Sequence, residues 1–309
     1  MSDYPMTFNE FTTLFATEKQ CRDYLFSLRW PNGFVCPKCK QAAVAWPVGE
    51  RLFTCSLCRH QTSVTAGTIF QDTRKPLKDW FTAIWWVTTQ KNGASAMGLQ
   101  RVLGLRSYTT AWTWLHKIRA AMVDPKRTKL SGRVEVDETY IGGEESSGAH
   151  GRGTENKMLV VIGVELLEGK NQLGRARMKV VLDASKGSLQ GFIGENVESG
   201  STIITDGWPS YASLPKNGYQ HIIDKPFDPE KKDELLPHVH MIVSLLKRWL
   251  LGTHQGAVQP MHLQAYLDEY VFRFNRRKSK KRGLLFYRLL ENAMNTAPTT
   301  NNELMGNSF

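Results

Sequence analysis

At 309 residues the chain has room for about two domains of roughly 150 residues each, and nine tryptophans and fourteen phenylalanines within a 41% hydrophobic composition can fill a sizeable core. A formal net charge of +11 and a pI near 9.4 favour a polyanionic partner, because each phosphate neutralised by Lys or Arg releases counterions; an anionic membrane surface attracts the same charge. No apolar run approaches the ~18–20 residues of a membrane span, and the opening MSDYPMTFNEF lacks the basic region and apolar core of a secretory leader. The expectation is a cytoplasmic protein with no membrane partner, associated with the nucleoid if its partner is DNA. Reducing conditions there make disulfides unfavourable, so four of the five cysteines need another use.

In chain order, residues 1–29 read as two short helices. Phe8, Phe11 and Phe15 recur at helical spacing, and Thr17-Glu18-Lys19-Gln20 has the form of a capping box. Residues 30–75 hold the cysteine pairs with β-rich flanks around Phe53 and Val64. A helical region follows over 76–123. Pro76 sits at a helix start, Leu77, Trp80, Phe81, Ile84 and Trp85 form a stripe, and Asn92-Gly93 ends it. Further helices are expected at about 95–103 and 107–122 around Gly104. The basic linker Asp124-Pro125-Lys126-Arg127 marks a boundary. From 133 the pattern turns to strands at 133–141, 158–166 and 176–184, a helix near 188–197 and a strand at 202–206, with helices after 233. On the second of these, Leu263, Tyr266, Leu267, Tyr270 and Phe274 share a face. This order predicts an α/β domain over 128–292, a mixed sheet with flanking helices, and a flexible polar tail over 293–309.

Cys36-Pro37-Lys38-Cys39 and Cys55-Ser56-Leu57-Cys58 are two CxxC pairs fifteen residues apart. Each pair can wrap two thiolates around one tetrahedral ion, and a hairpin between them brings the pairs together. The spacing predicts a structural zinc ribbon. Cys21 lies outside it as a core residue, and His60 reads as a loop residue rather than a fifth ligand.

Residues 93–105 and 107–117 have helix-turn-helix proportions. On that reading Arg106, Ser107, Tyr108 and Thr110 face the major groove, with Lys117 and Arg119 near phosphates. An ordinary helical hairpin packed on the ribbon fits the same pattern. Arg276, Arg277, Lys278, Lys280, Lys281 and Arg282 make six cations in seven residues, a run expected to grip DNA backbone rather than bases.

Asp137 falls mid-strand on the polar side of an alternating pattern, and Asp206 ends an apolar strand just before Gly207. Carboxylates at a buried sheet edge are costly unless paired, hydrogen-bonded or metal-bound. Two on neighbouring strands can share Mg²⁺ or Mn²⁺ for an in-line phosphodiester displacement. A strand-end Asp is also a common turn former, so the residues alone leave both readings open.

Several ordered stretches together resemble a family. They are the paired CxxC ribbon running into Thr65-Ala66-Gly67-Thr68-Ile69-Phe70, the segment Gly98-Leu99-Gln100 through Trp114-Leu115-His116-Lys117, and Val136-Asp137-Glu138-Thr139-Tyr140-Ile141-Gly142-Gly143. Thr205-Asp206-Gly207-Trp208, residues 247–254 and residues 262–277 complete the set. Over nearly its whole length the chain resembles bacterial insertion-sequence transposases of the group related to Merlin transposons, with the ISXO-like transposase domain. The resemblance implies a ribonuclease-H-like fold, double-stranded DNA (transposon ends and target) as partner, DDE-type strand cleavage and transfer, and Asp137 and Asp206 as the first two catalytic acids. It also implies a homo-oligomer on DNA, since pairing two ends needs two or more protomers.

The chain departs from an acidic triad: where a third acid is expected, 34 to 37 residues after Asp206, stand His240 and then Val243, Ser244 and Leu245. His240 and Lys247 are two helical turns apart and can face the same side, His240 as a metal ligand and Lys247 as a phosphate contact. Asp233 and Glu234 read as helix N-terminal acids, and Glu269 as a solvated or ion-paired residue. Three rival functions remain: a DNA-binding regulator without chemistry, a ribonuclease or junction nuclease, and a zinc-ribbon protein-interaction module.

Overall fold

The computed structural model describes residues 4–142, 157–167, 172–224, 235–255 and 258–306. The chain divides into two compact units, Met1–Asp124 with Ser279–Phe309, and Pro125–Lys278.

In the first unit α1 (Phe8–Leu14) and α2 (Glu18–Arg29) form as expected. Thr17 and Gln20 close the capping box reciprocally, satisfying donors that a helix start leaves over. The ribbon is an antiparallel sheet of β1 (Ala45–Val48), β2 (Leu52–Cys55) and β3 (Gln61–Ser63). Helix α3 (Leu77–Thr89) buries the whole predicted stripe, and its first two N–H groups, at Leu77 and Lys78, donate to the Glu18 carboxylate at 3.0 and 2.9 Å. Next come α4 (Ala96–Leu103) and α5 (Tyr108–Ala120). Gly104 caps α4 at φ +61, a conformation costly to other residues. A Cβ on Gly98 would lie 3.0 Å from the Trp86 ring, so a larger residue there would force that ring of α3 to give by a few tenths of an ångström.

The second unit is a five-stranded mixed sheet. Its strands are β4 (Arg133–Ile141), β5 (Met158–Leu167), β6 (Gln172–Val181), then after α6 (Lys186–Asn196) β7 (Thr202–Thr205) and β8 (Gln220–Ile223). The order is β6-β5-β4-β7-β8. β4–β5 and β5–β6 are antiparallel, β4–β7 and β7–β8 parallel. Helices α7 (Pro237–His254) and α8 (Leu263–Asn275) close the unit. One face of the sheet buries Ile162, Val164 and Ile204 against Val239, Ile242 and Leu246 of α7 and the predicted face of α8. The other buries Val134, Val136, Val161 and Ile203 against Leu189, Phe192 and Ile193 of α6. This is the α/β class expected from the sequence.

The β6 edge is closed by side chains that imitate a neighbouring strand. The Asn275 amide accepts from Ala176 N at 2.7 Å and donates to Ala176 O at 3.1 Å. The Gln264 amide accepts from Val180 N at 2.9 Å. Such cover removes a template for unwanted pairing.

Two expectations about the C-terminal region need correction. The sheet unit ends at Lys278, not 292: α9 (Arg282–Asn295) packs on α2 and α3 of the first unit. An amphipathic stripe says that a helix is buried, but not in which core. Gly283 lets α9 run against the segment before α1, since a Cβ there would sit 1.6 Å from the Pro5 carbonyl oxygen. The tail over 296–306 is also structured. α10 (Asn301–Leu304) opens with a Thr300–Glu303 capping box, and Thr113 of α5 donates to Asn301 Oδ1 at 2.6 Å.

Candidate active site and metal centre

Each CxxC pair folds as a knuckle. Lys40 N donates to Cys36 O at 2.9 Å and Arg59 N to Cys55 O at 3.0 Å. Lys40 and Arg59 both adopt left-handed backbone, φ +61 and +60; neither residue type signals that conformation. The four sulfurs lie within 4.8 Å of one another, with Cys36–Cys58 at 3.6 Å and Cys39–Cys55 at 3.9 Å. A tetrahedral zinc at ~2.3 Å from each sulfur would space them about 3.8 Å apart, so the donor set fits zinc. Burial opposes the Cys36 thiolate, but the backbone N–H groups of Cys39 and Lys38 together with the Cys58 and Cys39 thiols outweigh it and lower that thiol to about 6. At Cys39 the Gln41 N–H lowers the thiol, but burial and the neighbouring thiols raise it to about 11. Cys21 is fully buried on α2, its thiol pushed up to about 12 by burial. His60 serves the loop: its carbonyl accepts from Cys55 N at 2.9 Å.

In the second unit the acids are placed by the strands. In the parallel β4–β7 pair Glu135 stands opposite Ile204, the last paired position, and Asp206 directly follows the end of β7 at Thr205, close enough for its charge to act on Asp137. Asp137 shares its face with Glu135, toward α7; Glu138 faces α6 with Val134 and Val136. His240 Nε2 lies 3.2 Å from Asp137 Oδ2. Burial lifts the Asp137 carboxyl above its ordinary range; the Glu138 N–H and His240 pull it down, and the Asp206 charge pushes it up. Asp206 is exposed and accepts from Trp208 N at 2.9 Å. Gly207 makes the turn at φ +85, where a Cβ would meet the Ile223 side chain at 2.6 Å.

Sequence reading missed the residues around these. The buried Glu135 carboxylate accepts from His238 N (3.1 Å), Val239 N (2.9 Å) and His238 Nδ1 (2.7 Å). Asp224 Oδ2 accepts from Leu236 N at 2.9 Å, and Leu236 itself is left-handed at φ +46. Tyr211, fully buried, donates its hydroxyl to Glu138 Oε2 at 2.7 Å. Burial raises the Glu138 carboxyl; Tyr211 lowers it, and Asp137 and Asp206 raise it. The alternation of β4 was the available signal: its polar face, far from meeting water, is covered by α7.

The remaining candidates divide. Lys247 is exposed on α7, two turns and about 10 Å along the axis from His240. Glu269 is buried and ion-paired with Arg273 at 2.8 Å, not solvated. Asp233 and Glu234 lie outside the described residues. Arg106, Ser107 and Tyr108 are exposed at the start of α5, with Thr110 half-buried; Ser107 makes no side-chain capping bond. Lys117 is half-buried, its ammonium lowered by burial against Asp72 and Glu303. Arg119 is corrected: it is 2% exposed and donates to Ala94 O at 3.3 Å, because its helix position faces inward. The basic run is divided as well. Arg276 stacks on Phe272 at 4.0 Å and Arg277 on Phe274 at 3.9 Å. Arg277 also donates to Gly174 and Leu173 carbonyls, and Lys278 to Gln172 Oε1 at 3.3 Å. Lys280, Lys281 and Arg282 are exposed.

Residues 129–275 match the model of the ISXO2-like transposase domain, and residues 16–61 that of a transposase zinc-ribbon domain. The chain carries an ISXO2-like transposase domain behind a transposase zinc ribbon. It is 25% identical over 279 residues to an uncharacterized protein in transposable element ISH50 of Halobacterium salinarum, covering 84% of this chain and 91% of the relative. A chain of the simian T-cell lymphotropic virus intasome in complex with PP2A regulatory subunit B56 gamma aligns at a TM-score of 0.33 and 14% identity, over 63% of this chain and 71% of that chain. Among the described residues of the transposase, no helix is long and apolar enough to cross a membrane.

Proposed function

We propose that this transposase binds the terminal inverted repeats of its element and performs DDE-type strand cleavage and strand transfer on a ribonuclease-H-like sheet. The reading is carried by one observation: the His240 ring lies 3.2 Å from Asp137 on β4, and Asp206 directly follows β7, the parallel strand paired with β4. Two carboxylates and an imidazole form a donor set suited to Mg²⁺ or, with nitrogen present, better to Mn²⁺. Bound there, divalent ions supply charge stabilisation to the attacking and leaving oxygens of an in-line displacement. The carboxylates of Asp137 and Asp206 would hold the ions, and His240 would complete the set through Nε2 once its bond to Asp137 is given up. Lys247, on the same side of α7, holds a phosphate. Arg106, Ser107, Tyr108 and Thr110 meet the major groove, Lys280, Lys281 and Arg282 the backbone, and two or more protomers pair the ends in the nucleoid. The test is incubation of the protein with its element's ends and Mn²⁺ or Mg²⁺, with sequencing of cut and joined products. Cleavage lost in Asp137→Ala and Asp206→Ala with end binding retained supports the reading; undiminished strand transfer by either variant ends it.

A second reading, a DNA-binding regulator without chemistry, is favoured by one feature: α7 carries no acidic residue. The same incubation decides it, since a regulator binds ends and yields no cut product in any metal.

A further inference from the structure

The two glutamates that flank Asp137 are bound by groups from two other parts of the site. Glu135 takes three donors from the first turn of α7, a helix whose own N-cap, Leu236, offers no side-chain bond. Glu138 takes the hydroxyl of Tyr211, which ends the short 3₁₀ turn Pro209–Tyr211 directly after Asp206-Gly207-Trp208. β4 and α7 therefore meet through two parallel carboxylate–histidine rungs, Glu135–His238 and Asp137–His240, each two residues apart on both elements. The inner rung is closed, with side-chain exposures of 15% and 5%. The outer is open, at 46% and 17%. A carboxylate already accepting three bonds has little left for a metal ion, whereas the outer pair remains accessible to one.

We infer that Glu135 and Glu138 are positioning residues, which fix His240 and Asp206 respectively against Asp137. The inference rests on the metal-dependent reading above. Because β4 carries all three acids, the two bonds set the distances within the donor set directly. A displacement of about 1 Å in such a site costs on the order of 10²-fold in rate.

The test uses the zinc-loaded full chain and three variants, Glu135→Gln, Glu138→Gln and Tyr211→Phe. Tyr211→Phe removes one hydroxyl and keeps the buried ring, so it serves where a glutamate variant fails to fold. Single-turnover cleavage of end DNA is followed against Mn²⁺ concentration, beside end-binding affinity and the melting temperature. Expected are a cleavage rate about 10- to 100-fold lower per folded molecule, a Mn²⁺ midpoint raised several-fold, and end binding within about twofold of the unaltered protein. Variants that only melt earlier, with unaltered rate and Mn²⁺ midpoint, overturn the inference while leaving the transposase reading intact. An unaltered protein that binds ends but never cuts them overturns both.

Discussion

Replacing Asp137 with Asn tests whether this acid is held in the fold for metal rather than for stability. Asp137 lies on β4 and Asp206 directly follows its parallel neighbour β7; at one strand spacing, about 5 Å, two like charges repel by about 3 kcal/mol at an effective dielectric of ~20. Asp206 is exposed and Asp137 17% exposed in its side chain, so screening reduces this to about 1–2 kcal/mol. For a unit of Pro125–Lys278 that corresponds to about 3–6 °C. The sign follows from the raised Asp137 carboxyl: a group whose folded-state pKa lies above its unfolded value contributes stability below the ordinary carboxylate range and loses it as pH rises through the raised value. Asp137→Asn should therefore melt higher than the unaltered protein at pH 7, and the difference should shrink towards pH 4. Adding Mn²⁺ should reverse the order, since ligand at 100 times its dissociation constant stabilises by about 2.7 kcal/mol only where it binds. Calorimetry on zinc-loaded protein freed of other divalent ions by dialysis reads both effects; a chelator would strip the ribbon too. An Asp137→Asn variant that melts lower without Mn²⁺ and gains as much from Mn²⁺ as the unaltered protein would refute the argument.

Three further outcomes are expected. Stripping zinc should unfold residues 30–70, because a ribbon this small relies on metal binding for its folding free energy; retained amide protection across Cys36–Cys58 in stripped protein would contradict it. His240→Ala should impair cleavage nearly as much as Asp206→Ala, and Glu269→Ala should lower stability instead, by about 3 kcal/mol for removing one side of a buried ion pair; in zinc-loaded, folded protein the reverse order of activity would exclude His240 from the site. Neutralising Lys280, Lys281 and Arg282 together should weaken binding to all DNA sequences and reduce the slope of log affinity against log salt by about 2–3, whereas loss on one sequence alone would point to base reading.

Much of this was legible in residue order. The capping box at Thr17, the stripe on α3, β4 over its full length and the buried face of α8 all follow from local period and cap chemistry, which depend on neighbours a few residues away. The two aspartates were legible only as candidates: their strand positions left a turn-forming reading open, and the family resemblance singled them out. β8 was not legible: its four residues sit in turn-rich surroundings with no alternation to mark them. Neither was the destination of α9, nor the inward turn of Arg119 on a helix whose burial covers most of its circumference. Glu135 and Glu138 were legible as polar residues and illegible as partners, because their donors lie 103 and 73 residues away.

How well each buried acid is supplied with donors separates structural carboxylates from the candidate metal ligands. Glu135 takes three donors from α7. Glu165, against a desolvation cost, takes Arg175 through Nε at 2.8 Å with Ser131 N at 2.9 Å, and its carboxyl ends below the ordinary range. Glu269 is held by Arg273. Each of these is a satisfied buried charge. Asp137 is supplied by one imidazole at 3.2 Å and one adjacent N–H, and a second acid stands beside it. Asp268, pushed up to about 6 by burial and bonded by Gln264, shows that weak supply alone is not distinctive. Asp137 differs from Asp268 in standing beside a second acid, Asp206; burial and that charge together lift the Asp137 carboxyl, as they do Glu138, a strain that protonation or a bound cation would relieve. Local rules are broken in this way most often at functional sites; on the proposed reading, the donors to the neighbouring acids, Tyr211 on Glu138 and the α7 turn on Glu135, would hold the unfavourable pair in place.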